Sequence, residues 1–162
     1  MTAHEFSFPG IEGGEIRLAD FAGRPLLVVN TASECGYTPQ YADLQALWTR
    51  YRDRGLVVIG VPSNDFGAQE PGDEAEIKAF CTKGFGVDFP MTSKQAVIGG
   101  TAHAFYRWVV EELGEVAAPK WNFHKVLIAP DGGLAGLWPS AVEPLDPEIT
   151  ETIEGLLDDE AG

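Results

Sequence analysis

Two continuous apolar runs in the first part of the chain predict buried β-strands. Residues 26–29 and 56–61 are short and rich in Val, Ile and Leu, which is typical of strands covered on both faces. Between them, apolar residues recur at about 3.6-residue spacing from Tyr41 to Tyr51, and Gly55 follows. This pattern predicts a helix, and the strand–helix–strand unit predicts a parallel pair of strands with a right-handed crossover.

The second half of the chain continues the alternation. A Gly- and Pro-rich loop precedes a short predicted helix whose apolar side carries Ile77, Phe80 and Cys81, and glycines close behind predict an end that frays easily. A further amphipathic helix is followed by a predicted hairpin with its turn at residues 131–133. The last predicted helix begins behind Asp146 as its N-cap.

The order of these elements defines a fold class. Helices alternate with strands that include a parallel pair and an antiparallel hairpin, so we expect an α/β fold, a three-layer α/β/α sandwich with a mixed sheet. A thioredoxin-like arrangement is one way to build it. Neither repeats nor a shift in composition divides the chain, and residues 1–162 are predicted to form a single domain.

The charge balance narrows the range of partners. The 162 residues include 25 Asp and Glu against 11 Lys and Arg, a formal net charge of −14. Nucleic acids and anionic membranes require basic patches, so neither is an expected partner. No Lys or Arg follows Lys125, and the nine acids after it carry −9 of the total. Solubility is the plain explanation for this tail.

The cysteine content and the N-terminus bear on the compartment. Two cysteines, Cys35 and Cys81, are too few for a disulfide-based scaffold or a four-thiolate zinc site. The N-terminus lacks the basic start and apolar stretch of a signal peptide, and no apolar run approaches the roughly 18 residues of a membrane span. We therefore expect a cytoplasmic protein.

Cys35 lies in a polar loop between the first predicted strand and the helix that contains Tyr41. Reactive groups collect at the carboxyl ends of strands in open α/β sheets, and a helix N-terminus favours the thiolate form of a nearby cysteine. The alternative, a small buried apolar residue, fits poorly with the polar, Gly-containing stretch of residues 33–38. Thr38 occupies the third position after Cys35, which excludes a disulfide reductase of the Cys-x-x-Cys type.

Three segments resemble the signature motifs of one enzyme family. They read NTASECGYT at residues 30–38, NDFGAQEPG at residues 64–72 and KWNFHK at residues 120–125. All three are similar to motifs of the glutathione peroxidases, in the form with cysteine in place of selenocysteine. They occur in the family's order and at similar intervals, and the matching region spans most of the chain.

The resemblance implies a catalytic tetrad formed by Cys35, Gln69, Trp121 and Asn122, and it implies no cofactor. In such a site the thiolate attacks one peroxide oxygen, the O–O bond breaks, and the sulfur becomes a sulfenic acid. The indole and amide N–H groups suit this reaction because they stabilise negative charge on the sulfur and on the leaving oxygen. Taken singly, such a Trp is usually a core residue, and such a Gln or Asn lies at a surface or turn.

Cys81 has two interpretations. It is either a buried apolar residue of its helix or a resolving cysteine that condenses with the sulfenic acid of Cys35. The segment at residues 80–83, with Phe89 and Pro90 downstream, resembles the one that carries the resolving cysteine in thioredoxin-dependent members of the family. The resemblance therefore implies a Cys35–Cys81 disulfide, which requires backbone movement if the thiols lie far apart.

Three departures from the family pattern affect what the resemblance implies. Ser63 stands where many cysteine-type members carry a third cysteine. Asp65 replaces the commoner Gln and predicts a negative charge near the site, which argues against glutathione and favours thioredoxin as the reductant. The short connection from Leu113 to Lys120 lacks the loop that tetrameric members use for assembly, so a monomer is expected.

Other functions stay open at this point. A peroxiredoxin shares the sulfenic acid chemistry, but its threonine has two residues between it and the cysteine, whereas Thr31 has three. A redox relay that passes Cys35–Cys81 oxidation to a partner, a glutathione-dependent peroxidase and a non-catalytic binding domain are the remaining alternatives. The histidines show no ligand spacing with either cysteine, so a metal site is not expected. The preferred peroxide, hydrogen peroxide or a bulkier organic hydroperoxide, is also open.

Overall fold

A four-stranded mixed sheet forms the centre of the computed structural model. The structure describes residues 1–161, with the side chains of residues 1–157. The strands are β1 (Ser7–Pro9), β2 (Glu15–Arg17), β3 (Leu26–Thr31), β4 (Val57–Pro62), β5 (Lys125–Ile128) and β6 (Leu134–Trp138). The helices are α1 (Gln40–Tyr51), α2 (Glu74–Phe85), α3 (Ala104–Leu113) and α4 (Pro147–Ala161). Short 3₁₀ helices cover Ala3–Glu5, Leu18–Phe21, Arg52–Arg54 and Glu115–Ala117.

The order of the strands in the sheet is β4–β3–β5–β6. β3 and β4 are parallel, with Leu26 opposite Val57, and α1 connects them as the sequence pattern predicts. β5 runs antiparallel to β3 and forms a hairpin with β6, whose register shifts between Leu127 and Ile128. The sheet is therefore mixed, and the expected α/β fold with helices over both faces is confirmed.

Successive residues of the central strands face opposite sides of the sheet and supply two hydrophobic cores. Leu27 and Val29 of β3 point into the first core, which packs against α1, α2 and α4. Leu26 and Val28 point into the second core, which packs against α3 and the N-terminal segment. Because β3 is buried on both faces, its sequence is continuously apolar until the buried Asn30.

A small N-terminal hairpin, β1–β2, is absent from the sequence-based prediction. Its strands have three residues each, with Ser7 opposite Arg17, so neither is long enough to show a clear alternation of apolar and polar residues. Tertiary contacts fix it instead. The His103 Nε2 atom lies 2.8 Å from the Ser7 carbonyl oxygen, and the His103 ring stacks on Phe8 with 4.0 Å between centroids.

The predicted helices are present, and the glycines after Cys81 end α2 as expected. The helix has 12 residues, begins behind the Asp73 N-cap and continues through Gly84 to Phe85. Its end comes at Gly86, which adopts the left-handed conformation at φ 65°. The Gly86 N–H donates to the Cys81 and Thr82 carbonyls, and the Val87 N–H also donates to the Cys81 carbonyl. These hydrogen bonds close the end of the helix.

The C-terminal helix begins as predicted. Pro147 is its first residue, and the Asp146 carboxylate accepts a hydrogen bond of 2.8 Å from the Glu148 N–H. Three of the nine acids after Lys125 lie outside the described side chains: Asp158, Asp159 and Glu160. In the described part of the chain, no helix has the length and apolar character needed to cross a membrane.

We predict that His103 makes the fold less stable in mild acid. Its neutral ring accepts a bond from the Phe105 N–H at Nδ1 and donates to Ser7 at Nε2, and burial lowers its pKa from 6.5. The unfolded state then binds more protons below about pH 6.5, so stability falls as the pH drops through that value toward the lower folded pKa.

Thermal unfolding of wild type and His103→Asn at several pH values between 7.5 and 5 checks this. Asn retains an N-cap but cannot titrate, so the variant should lose less stability than wild type over this range. His124, whose pKa burial lowers to about 4, adds the same slope to both proteins and cancels in the comparison. Equal losses in the two proteins would show that His103 does not contribute.

Candidate active site

Cys35 lies in a tight turn between the end of β3 and the start of α1. Its backbone N–H donates to the Thr38 hydroxyl at 2.9 Å, and that hydroxyl donates to the Ala32 carbonyl at 2.8 Å. The Tyr37 N–H points at the Cys35 Sγ atom, 3.3 Å away. The cysteine is 7% exposed, so its sulfur sits just below the surface with a backbone donor already directed at it. Such a donor stabilises a thiolate.

The loop after β4 brings Gln69 to the cysteine turn. The Glu34 N–H donates to the Gln69 carbonyl at 3.0 Å, which joins the two loops next to Cys35. The loop reverses sharply here, because Gly67 and Ala68 both have left-handed backbone conformations, at φ 70° and 51°. A Cβ atom at Gly67 would lie 3.3 Å from the Trp121 ring, so this glycine also allows the third motif to approach.

The segment before β5 supplies Trp121 and Asn122. The Asn122 side chain is fully buried, and its Nδ2 atom donates to the Gln69 Oε1 atom at 3.0 Å. Trp121 is 37% exposed, with its ring 5.8 Å from that of Phe66, and it lines a groove of about 390 Å³ together with Tyr37. Gln69 and Asn122 are therefore in direct contact, and Trp121 faces the groove beside the cysteine turn.

Asn30, which the sequence analysis includes in a motif without assigning it a role, fixes this third segment. Its Nδ2 atom donates to the Trp121 carbonyl at 3.0 Å, and its Oδ1 atom accepts from the His124 N–H at 3.1 Å. Its backbone carbonyl accepts from the Phe123 N–H at 2.6 Å. The signal in the sequence is a polar residue at the end of a buried apolar strand, since such an amide needs buried partners.

Cys81, the predicted resolving cysteine, lies in α2 and is completely buried. It belongs to the same hydrophobic core as Cys35, on the same face of the sheet, and both cysteines are free. Burial raises the pKa of the Cys81 thiol to about 11, an effect that a hydrogen bond with Tyr41 opposes. The structure thus describes the reduced state, in which α2 holds this thiol away from solvent.

Two polar residues of the motif segments have roles that the sequence does not show. The Asp65 Oδ2 atom accepts from the Val97 and Ile98 N–H groups at 2.6 and 3.2 Å. These bonds hold the loop that follows α2. His124 is only 6% exposed, and burial lowers its pKa to about 4. It is therefore neutral at physiological pH.

A buried lysine near the site was not anticipated from the sequence. Lys125 is fully buried in β5, and its Nζ atom donates to the Gln40 Oε1 atom at 2.6 Å and to the Ser140 carbonyl at 3.1 Å. Gln40 is the first residue of α1, so this cluster ties the start of that helix to the sheet. Burial lowers the pKa of Lys125 to about 7, while Glu143 opposes the shift.

The arrangement suits one kind of chemistry. A nearly buried thiol, a backbone N–H directed at its sulfur and a pair of bonded amides close by can stabilise an anion formed during attack on an electrophilic oxygen. No third thiol is available, and among the described residues no group of three His, Cys, Asp or Glu side chains converges as a metal site would require. Fold and site together define a peroxidase that uses a cysteine thiol.

Comparisons with known proteins agree with this class. The family model for glutathione peroxidase matches residues 3–110. A glutathione peroxidase homolog, BsaA, from Halalkalibacterium halodurans is 43% identical over 97% of this chain and 100% of its own length. The hydroperoxy fatty acid reductase gpx1 of Synechocystis is 43% identical over 96% of each chain. The crystal structure of Trgpx in its apo form has a TM-score of 0.77 and 33% identity, covering 98% of this chain and 97% of its own.

The chain therefore belongs to the glutathione peroxidase family, and the thioredoxin-like fold expected from the sequence is confirmed. Its activity is that of the family, the reduction of peroxides by a thiol.

We predict that Trp121→Phe slows the reaction of the reduced protein with hydrogen peroxide by about 100-fold, because it removes one N–H donor and retains an aromatic ring. Stopped-flow measurement of the second-order rate constant checks this. Trp48→Phe is the matched control, because the Trp48 Nε1 atom has no hydrogen-bond partner among the described side chains and backbone groups, and this variant should leave the rate essentially unchanged. Equal rates for wild type and Trp121→Phe would contradict a role for the indole N–H.

Proposed function

We propose that this peroxidase reduces hydrogen peroxide and organic hydroperoxides through a sulfenic acid at Cys35. The thiolate attacks the terminal oxygen and the O–O bond breaks. The leaving oxygen takes up the proton that the thiol released and departs as water or an alcohol. The observation that carries the proposal is the hydrogen bond between Asn122 and Gln69, in a pair of loops that the Glu34–Gln69 bond joins to the cysteine turn. This pair supplies amide donors at the place where negative charge develops.

We further propose that Cys35, Gln69, Trp121 and Asn122 act together as the catalytic group. The exposed face of Trp121 and the groove it shares with Tyr37 give access to peroxides with a bulky organic part. The name of the Synechocystis relative, a hydroperoxy fatty acid reductase, supports organic hydroperoxides as substrates in addition to hydrogen peroxide.

Cys81 is the proposed resolving cysteine. It attacks the sulfenic acid of Cys35 and forms a disulfide, which thioredoxin then reduces. The location of both cysteines in one core supports this pairing, and Cys81 is held within helix α2, so a disulfide calls for movement of that helix wherever the thiols are too far apart to bond. The net charge of −14, to which Asp65 contributes, favours a protein reductant over glutathione. We propose that the enzyme works as a cytoplasmic monomer.

An assay of NADPH oxidation with hydrogen peroxide tests the reductant. Wild type should turn over with thioredoxin and thioredoxin reductase much faster than with glutathione and glutathione reductase. Cys81→Ser should lose about 100-fold of the thioredoxin-dependent rate, because a sulfenic acid without a resolving thiol offers thioredoxin no internal disulfide. Cys35→Ser should lose peroxide consumption altogether.

Peptide mapping gives an independent measurement. Wild type treated with peroxide and digested without reductant should yield a peptide pair joined through Cys35 and Cys81. Survival of the thioredoxin-dependent rate in Cys81→Ser would reject the resolving role. A faster rate with glutathione would favour the glutathione-dependent alternative, and poor turnover with both reductants would favour the redox relay.

A further inference from the structure

The proposed resolving step needs a proton acceptor. A thiol attacks a sulfenic acid as the thiolate, but Cys81 is fully buried and its pKa is raised to about 11. At neutral pH only about one molecule in 10,000 would carry the thiolate at such a pKa. A neighbouring base would remove this obstacle, and Glu70 is the one acidic residue that is buried among the described side chains.

Glu70 lies between the two cysteine-bearing segments. It is 1% exposed and lines a cavity of about 200 Å³ with Ser33, two residues before Cys35, and with Ile77 and Phe80 of α2. Its backbone is held on both sides, since its N–H donates to the Asn64 side chain at 2.8 Å and its carbonyl accepts from Lys94 Nζ at 3.2 Å. Glu70 thus lines a cavity between the cysteine turn and α2, on a backbone that is fixed in place.

The carboxylate of Glu70 has a raised proton affinity. Hydrogen bonding by Ser33 and the charge of Lys94 favour the ionised form. Burial has a larger effect than Ser33 and Lys94 and raises the pKa of Glu70, and the negative charge of Glu34 raises it further. A carboxylate with a raised pKa is a stronger base, which brings its proton affinity closer to that of the thiol.

Glu70 is close enough to sense the resolving thiol. Its charge contributes to the raised pKa of Cys81 and also to that of Tyr41, whose hydroxyl interacts with the same thiol. The other charged group that acts on Cys81 is Lys78, which favours the thiolate. A carboxylate, a tyrosine hydroxyl and a thiol therefore form one electrostatically coupled group beneath the cysteine turn.

We propose that Glu70 is the internal proton acceptor for Cys81 in the resolving step. The proton of the Cys81 thiol passes to the Glu70 carboxylate, and the Cys81 sulfur attacks the sulfur of the Cys35 sulfenic acid. The S–S bond forms as the S–O bond breaks, and the departing hydroxide takes the proton from Glu70 and leaves as water. Cys81 is oxidised, the sulfenic sulfur is reduced, and Glu70 returns to its carboxylate form.

This inference rests on the resolving role proposed above, and rapid-mixing measurements test it separately. Reduced protein is mixed with hydrogen peroxide, and quenched samples are assayed by mass spectrometry for sulfenic acid trapped at Cys35 and for the disulfide. Glu70→Gln preserves size and removes the base, so it should slow disulfide formation by about 100-fold at pH 7. The slowing of sulfenic acid formation should be at least ten times smaller. Glu76→Gln, an exposed carboxylate that lines the same cavity, is the matched control and should match wild type.

The pH dependence gives a readout that a merely structural role would not change. In wild type, disulfide formation should rise with pH as Glu70 ionises and then level off. In Glu70→Gln it should rise about tenfold per pH unit through the neutral range, because only spontaneous ionisation of Cys81 supplies the thiolate. Glu70→Asp keeps a carboxylate and should recover part of the rate, which also covers the case of a poorly folded Gln variant.

The outcomes separate the two hypotheses. Normal disulfide formation in Glu70→Gln, or equal slowing of both steps, overturns the role of Glu70 and leaves the peroxidase proposal intact. Absence of a Cys35–Cys81 disulfide in wild type overturns the resolving role itself, and the role of Glu70 with it. A normal first step with a slow, steeply pH-dependent second step supports both.

Discussion

The buried side chain of Asn30 holds the site together. Asn30 ends the apolar run of the central strand β3. Its side chain bonds two backbone groups of the segment that carries Trp121 and Asn122, and its own carbonyl accepts from a third, the Phe123 N–H. An unsatisfied amide at this depth would cost about 1–3 kcal/mol, so the strand and the segment can only pack together with these bonds in place. Phe123 adopts a left-handed backbone conformation, at φ 65°, where its N–H bonds the Asn30 carbonyl. This conformation is unfavourable for a residue other than glycine.

A second buried polar cluster performs the same task on the other side of the cysteine turn. Lys125 follows two residues after Phe123, and its ammonium group reaches Gln40 at the start of α1. The start of the helix is thereby set relative to the strand that carries the third motif. Both clusters fix loop residues relative to the rigid sheet. The loops can therefore hold reactive groups in defined positions.

The sequence was sufficient for the central sheet and for the elements that carry the motifs. The continuous apolar runs predicted β3 and β4, because strands covered on both faces need no polar alternation, and the spacing of Tyr41, Leu44 and Leu47 predicted α1. The β1–β2 hairpin was missed, since its three-residue strands depend on contacts with His103 rather than on local pattern.

The sequence predicts which residues form the site but not their hydrogen bonds and burial. The motifs identify Cys35, Gln69, Trp121 and Asn122 as candidates, and in the structure Asn122 donates a hydrogen bond to Gln69. The hydrogen-bond partners of a side chain do not follow from its type, so the bonds between the Asp65 carboxylate and the Val97 and Ile98 N–H groups have no signal in the sequence. The burial of Glu70 and Lys125 likewise follows from packing of distant segments and has no local signal.

The helix stop at Gly86 has a mechanical consequence. The N–H groups of Gly86 and Val87 both donate to the carbonyl of Cys81. A displacement of Cys81 from the helix therefore also breaks these hydrogen bonds at the helix end. Just beyond, Asp88 is fastened to Gln45 of α1 by two hydrogen bonds of 2.7 and 3.0 Å, and Asp73 caps the other end of α2. The segment between these two anchors has a fixed chain length. Cys81 can therefore move only as far as the anchored ends of the segment allow, and the sheet beneath it need not move.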